Sequence, residues 1–182
     1  MGGVNMADLR DKVESDRGII KMIQLAIPGY RGYRIKEDLR IADRLLREEL
    51  ANRLTVAERG FEGARKALAK RNAIDMIEDI GELVTRTHAA IERLRHVEQG
   101  YTGISPDYRI REAELNKMYE WDLGLLNLIE GLMKIASNLK DSAKTMPEPD
   151  VATELTNALQ AIEDYEVIFD QRREAIAGLT VG

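Results

Sequence analysis

The chain has 182 residues, 44% of them hydrophobic and 32% charged, with a formal net charge of −5 and no cysteine. That balance fits a folded, water-exposed chain and excludes disulfides, thiolate metal sites and a cysteine nucleophile. The negative charge argues against a generally nucleic-acid-binding protein.

No run reaches the roughly 18 apolar residues that a membrane span requires. The start, Met1 to Met6, lacks the basic-then-apolar layout of a secretory signal. Position 6 is Met rather than Ser or Thr, so the N-myristoylation pattern also fails. A single cytoplasmic domain is the expectation.

The first element is a leading helix over 8–27. Leu9, Val13, Ile20, Ile23 and Ile27 recur at the three- and four-residue steps of one helical face. Pro28 and Gly29 stop it, since proline disfavours helical geometry in the residue before it and glycine tolerates positive φ. Helix two runs over 34–71 with the stripe Ile35, Leu39, Ala42, Leu46, Leu50, Ala57, Phe61, Ala64 and Leu68. Gly60 and Gly63 each weaken it by about 1 kcal/mol relative to alanine, and Thr55 to Glu58 spells a capping box. A break there competes with a continuous helix. Continuity is favoured, because the apolar stripe keeps its phase across both glycines.

Asn72 is a short joint, and helix three follows over 73–98 with a wide apolar face from Met76 to Val97. Two long helices joined by a short connection form an antiparallel hairpin. Helix four begins at Pro106 or a few residues later and ends near Lys144. Met118, Leu125, Leu132 and Leu139 alternate in it with Trp121, Leu128 and Ile135 as a heptad seam. A loop over 145–150 leads to helix five, which ends near Ala177 and carries Leu155, Ile162, Phe169 and Ile176. The fold class is therefore all-α. The expected architecture is an elongated bundle of about five helices, with a leading helix and two long hairpins (34–98 and 106–177) packed in coiled-coil fashion.

One stretch occurs twice. Gly29-Tyr30-Arg31-Gly32 precedes Tyr33-Arg34-Ile35-Lys36-Glu37. Gly100-Tyr101-Thr102-Gly103 precedes Tyr108-Arg109-Ile110-Arg111-Glu112, with four more residues between the parts. Duplication of a hairpin accounts for this echo, and so does convergence of two helix-to-helix corners on glycine and tyrosine. As a surface, the corner nominates Tyr30, Arg31, Tyr33, Arg34 and Tyr101 for interaction. As architecture, the tyrosines plug helix ends. The glycines and Lys36 also suggest an anion cradle at a helix N-terminus, but the spacing is not that of a P-loop and no strand precedes it.

Charge is unevenly distributed. Arg34 to Arg71 holds eleven basic against seven acidic residues, and Glu112 to Gly182 holds six against fourteen. A basic strip of Arg40, Arg44, Arg47, Arg65, Lys66, Lys70 and Arg71 offers a surface for nucleic acid or an anionic membrane. The plainer reading is a solvated face that pairs with the acidic helices, because acids interrupt the strip and no aromatic ladder accompanies it. His88, Glu92 and His96 share one side of helix three and form a weak metal candidate. The Glu-x-x-His pairs of a di-metal bundle are absent, since Thr85 and Arg93 stand three residues before the histidines.

Asp122 flanks the helix-four seam and Arg172 interrupts the helix-five seam. If those helices pack together the two can pair, which more often fixes register than performs chemistry. No complete catalytic constellation and no cofactor motif emerges. The expectation is a non-enzymatic helical scaffold or interaction protein that associates with itself and with another protein. The alternative is a module that binds an anionic ligand, nucleic acid or membrane surface through the basic helix and its arginine-rich turn.

Overall fold

The structure is a computed structural model, and it describes residues 18–31, 36–96 and 112–181. Five α-helices account for nearly all of these residues, and no strand occurs among them. Helix α1 covers 18–26. Helix α2 is Lys36–Lys70, α3 is Ile77–His96, α4 is Glu112–Thr145 and α5 is Glu148–Val181.

Chain geometry and local chemistry account for the boundaries. Helix α1 ends where Ile27 closes its last bond on the Ile23 carbonyl and Gly29 turns the chain at φ +85°. Helix α2 ends on Asn72, the only non-glycine residue at positive φ among the described residues. The Ala73 amide returns to the Leu68 carbonyl and the Asn72 amide to the Ala69 carbonyl. This is a Schellman cap, which satisfies carbonyls that the helix end would leave orphaned. A short 3-10 turn, Ile74–Met76, then leads into α3. Helix α5 starts earlier than the proline-rich loop suggests, at Glu148. Pro149 fits its first turn, where a missing N–H is not needed.

Helix α2 is continuous through Gly60 and Gly63. The reason lies in α4. A Cβ on Gly60 would stand 2.8 Å from the Ala136 Cβ and 3.0 Å from its carbonyl oxygen. Here glycine is the condition for close approach of two helices, and the burial it permits outweighs its propensity cost.

The register of the bundle follows from such pairs. Gly60 meets Ala136, Gly63 meets Lys140, and Arg71 donates to the Ala143 carbonyl, so α2 and α4 run parallel. Arg47 reaches Leu94 while Glu58 reaches His88, so α2 and α3 are antiparallel. Arg86 pairs with Glu166 and Arg93 with Asp170, so α3 and α5 are parallel. Contact is broadest between α2 and α4, then α2 and α3, then α4 and α5, with a slighter contact between α3 and α5. The four long helices therefore form a square in which α2 lies diagonally opposite α5. Helix α1 lies against this square, with Arg53 of α2 donating to the Ala26 carbonyl at its C-terminal end. A cation there also meets the negative end of the α1 dipole.

The core is one continuous apolar cluster. Leu46, Leu50, Leu54, Phe61 and Leu68 of α2 pack with Ile80, Leu83, Ile91 and Leu94 of α3, Leu125, Ile129, Leu132 and Leu139 of α4, and Leu155, Ile162, Tyr165 and Phe169 of α5. Burial of each large side chain contributes about 1.5–3 kcal/mol. No helix among the described residues is long and apolar enough to cross a membrane.

Candidate functional site

One end of this apolar core contains a cluster of charge. Asp43 and Arg47 of α2, Asp122 of α4 and Arg172 of α5 are all buried, and Asp122 is 0% exposed. Arg172 Nε donates to Asp122 Oδ1 at 2.6 Å, and its Nη1 donates to Asp43 Oδ1 at 2.8 Å. Arg47 Nε donates to Asp43 Oδ2 at 2.8 Å, and its Nη1 donates to the Leu94 carbonyl at 2.8 Å. The Tyr30 hydroxyl donates to Asp122 Oδ2 at 3.1 Å. Two carboxylates and two guanidinium groups balance formally, and the chain of bonds joins the corner after α1 to all four long helices.

The electrostatics follow from the geometry. Burial by itself would raise the Asp43 carboxyl. The Arg172 and Arg47 guanidinium groups outweigh it and hold the carboxyl below its ordinary value of 3.8. Asp43 is thus held as an ionised acceptor by the two arginines, and Asp122 accepts from Arg172 and Tyr30. Their lone pairs face arginine or tyrosine donors, an arrangement suited to clamping helices rather than to moving protons.

Close to this network, the Tyr165 ring stacks on Phe169 with centroids 5.9 Å apart, and the Arg93 guanidinium lies over the Phe169 ring. The Tyr165 hydroxyl is buried without a hydrogen-bond partner among the described residues, and burial pushes its pKa well above the ordinary value of 10.0. Arg93 also pairs with Asp170.

The residues nominated from the sequence fall in different places. Tyr30 belongs to the core and is the tyrosine plug of its corner, while Arg31 is exposed. Tyr33, Arg34 and Tyr101 lie outside the described residues, as does most of the repeated motif. Of the basic strip, Arg47 is not a surface cation. It stands one helical turn after Asp43, is buried with it, and pairs with its carboxylate. Arg44 is exposed beside Glu48 at 3.8 Å, and Arg65 is exposed beside Glu62 at 3.2 Å. Arg71 binds the Ala143 carbonyl, while Lys66 and Lys70 are exposed. Arg40 lies on α2.

The histidine trio does not converge. His88 Nδ1 lies 2.9 Å from Glu58 on α2, whereas His96 Nε2 lies 3.0 Å from Glu92. Both histidines are exposed. No group of three or more His, Cys, Asp or Glu residues among the described residues is placed to hold a metal ion.

Arg172 and Asp122 pair as their places in the two seams suggest. Asp43 is the member that pattern reading passes over. A signal was present: Asp43 falls three residues before Leu46 and seven before Leu50, on the apolar stripe itself, with Arg47 one helical turn away.

No family model, curated protein or solved structure matches this chain. Its function is therefore argued from its own residues.

Proposed function

We propose that the protein is a non-enzymatic helical scaffold that associates with itself and with a protein partner through the outer faces of its helices. The observation that carries this reading is the buried network. The charged groups that the bundle takes out of water are bonded to one another, so their chemistry serves to hold five elements in register. Exposed ionisable groups add to the picture, because His88, His96, Arg44 and Arg65 each stand beside an acid on the surface.

Among the described side chains, reading the basic strip as an anion-binding surface rests on Arg44, Arg65, Lys66 and Lys70, since Arg47 and Arg71 are engaged within the bundle. A salt-dependent gel shift or vesicle pull-down at low salt decides against it when no binding appears.

Light scattering on the purified chain tests the main reading. The expected result is a mass that rises with concentration above the 20.6 kDa of one chain. A constant monomer mass throughout the micromolar range contradicts it.

A further inference from the structure

Cations on the outer helix faces mostly pair with an acid one turn away, as Arg44 does with Glu48, Arg65 with Glu62 and Lys144 with Asp141. Among the described side chains, six cations have no acid, carbonyl or aromatic ring within bonding distance. They are Lys21, Arg31, Arg59, Lys66, Lys70 and Lys140, and all six are exposed. Four of them lie together. Arg59, Lys66 and Lys70 share one face of α2 with Gly63, at steps of four, three and four residues. Lys140 of α4 supplies the position that Gly63 leaves bare. Its stem lies across that glycine, where an added Cβ would stand 3.1 Å from Lys140 Cγ and Cδ. The outcome is a row of four positive charges, one per helical turn over about 16 Å.

Two acids border the row, and each is committed to a neighbour. Glu62 holds Arg65 at 3.2 Å and Asp141 holds Lys144 at 2.6 Å. The Asp141 carboxyl is held low first by that bond, and the nearby Lys140 charge adds to the effect. With Arg65 and Lys144 counted in, six cations stand against two acids, which leaves four positive charges uncompensated. Other acids lie elsewhere on the bundle. Glu78 and Asp79 open α3, which meets α2 by the side that carries Glu58. Glu148 and Asp150 open α5, the helix diagonal to α2.

We propose that this row is the docking site for an acidic helix of a protein partner, one that presents a carboxylate on every turn. This docking rests on the partner half of the scaffold reading above, and it names the surface and the chemistry. A helix with acids at i, i+4, i+7 and i+11 repeats its charge about every 5.4 Å, the spacing of the row, so each carboxylate meets one cation. Duplex nucleic acid carries one charge per roughly 1.7 Å, about three times what the row neutralises. The net charge of −5 on the chain opposes that surplus. The row also has no aromatic side chain on which a single strand would stack. Between Arg59 and Lys70 the exposed positions of α2 offer no large apolar side chain to insert into a membrane. A second copy of this chain matches less well. On the outer face of α5, Glu163 and Glu174 are the same distance apart as the ends of the row, but Val167 and Gln171 stand between them.

Exposed ion pairs are individually weak and are screened by salt, so the test uses low ionic strength and a defined probe. The probe is an alanine-based helical peptide with four glutamates at i, i+4, i+7 and i+11. Its control has the same composition with the glutamates spread around the helix. Fluorescence anisotropy is expected to show the aligned peptide binding the full chain about tenfold more tightly than the control. The double variant Lys66→Gln, Lys70→Gln is expected to lose that preference. Lys134→Gln, which removes a cation paired with Glu130 outside the row, is expected to keep it. Neither variant should alter the thermal melt, because all three side chains are exposed.

Three results overturn the proposal, and they are distinguishable. Equal affinity for the two peptides, or a preference that survives in the double variant, means that the row docks no acidic helix. If the mass of the chain still rises with concentration, the self-association reading stands without it. Tighter binding to inorganic polyphosphate or to phosphatidylserine vesicles than to the aligned peptide, lost in the double variant, assigns the row to phosphate groups. The two probes separate a free ligand from a lipid surface. A concentration-dependent mass that disappears in the double variant, with no peptide preference in the wild type, assigns the row to a second copy of the chain.

Discussion

Arg172 of α5 and Asp43 of α2 meet across the centre of the bundle, with Nη1 of one 2.8 Å from Oδ1 of the other. Their helices are diagonal to each other, so this contact depends on a long side chain crossing the core. An arginine suits that role. Its fork holds two carboxylates at once, Asp43 through Nη1 and Asp122 through Nε. Three helices are therefore fixed relative to one another by one residue, at a level where an apolar side chain would tolerate sliding.

Acid should loosen this point first. The Asp43 carboxyl has a folded pKa below its ordinary value of 3.8, so the stability it contributes is present above that value. It is lost as pH falls through the depressed folded pKa. Asp43→Asn should therefore be markedly less stable than wild type at pH 7, and the difference should shrink as both are taken below about pH 4. Urea unfolding curves between neutral pH and pH 2 measure the gap, and a gap independent of pH would count against the ion pairs around Asp43.

Glycines in α2 and α4 should respond oppositely to alanine. At Gly60 the added methyl meets Ala136 at 2.8 Å, partly against backbone, so Gly60→Ala should destabilise by about 1–3 kcal/mol. At Gly131 nothing lies within 4 Å, so Gly131→Ala should stabilise by up to about 1 kcal/mol through helix propensity alone. Thermal melts of the two variants give the signs. Equal signs would mean that α2 and α4 are not in close contact at Ala136.

The Tyr165 hydroxyl offers a third check. It is buried without a partner among the described residues, so Tyr165→Phe should leave stability unchanged or raise it by about 1 kcal/mol, rather than lower it. Alkali separates the two proteins further. The folded pKa of Tyr165 is raised above 10.0, so its neutral form is favoured in the fold and stability is lost as pH climbs past that value. Tyr165→Phe should resist unfolding above pH 10 better than wild type. Greater alkaline sensitivity in the variant would mean that the hydroxyl has a bonding partner in the core.

The helices were legible because their apolar stripes are long and keep phase. Leu46, Leu50, Phe61 and Leu68 stand in the stripe read from α2, and all are fully buried. The all-α class follows from such stripes without knowledge of neighbours. Which helices meet does not follow. The parallel contact of α2 with α4 depends on Gly60 facing Ala136, and periodicity records only that Gly60 interrupts a helix. The charged cluster was half legible for a similar reason. Asp122 and Arg172 stand out in apolar seams, whereas Asp43 and Arg47 occur among many charges on α2 and resemble its solvated side. Only the arrival of Arg172, 129 residues away, distinguishes them.

The most direct test of the claim that these charges serve as a structural clamp is a double-mutant cycle on Asp122 and Arg172, joined at 2.6 Å. Arg172→Met and Asp122→Leu each leave a buried charge short of a partner, and each should cost about 3–5 kcal/mol in urea unfolding. Replacing both removes that penalty, while Asp43 keeps Arg47. The double variant should therefore lose less than the sum of the singles, by at least about 1.5 kcal/mol. Losses that add to within about 0.5 kcal/mol, or single losses below about 1 kcal/mol, would contradict the clamp.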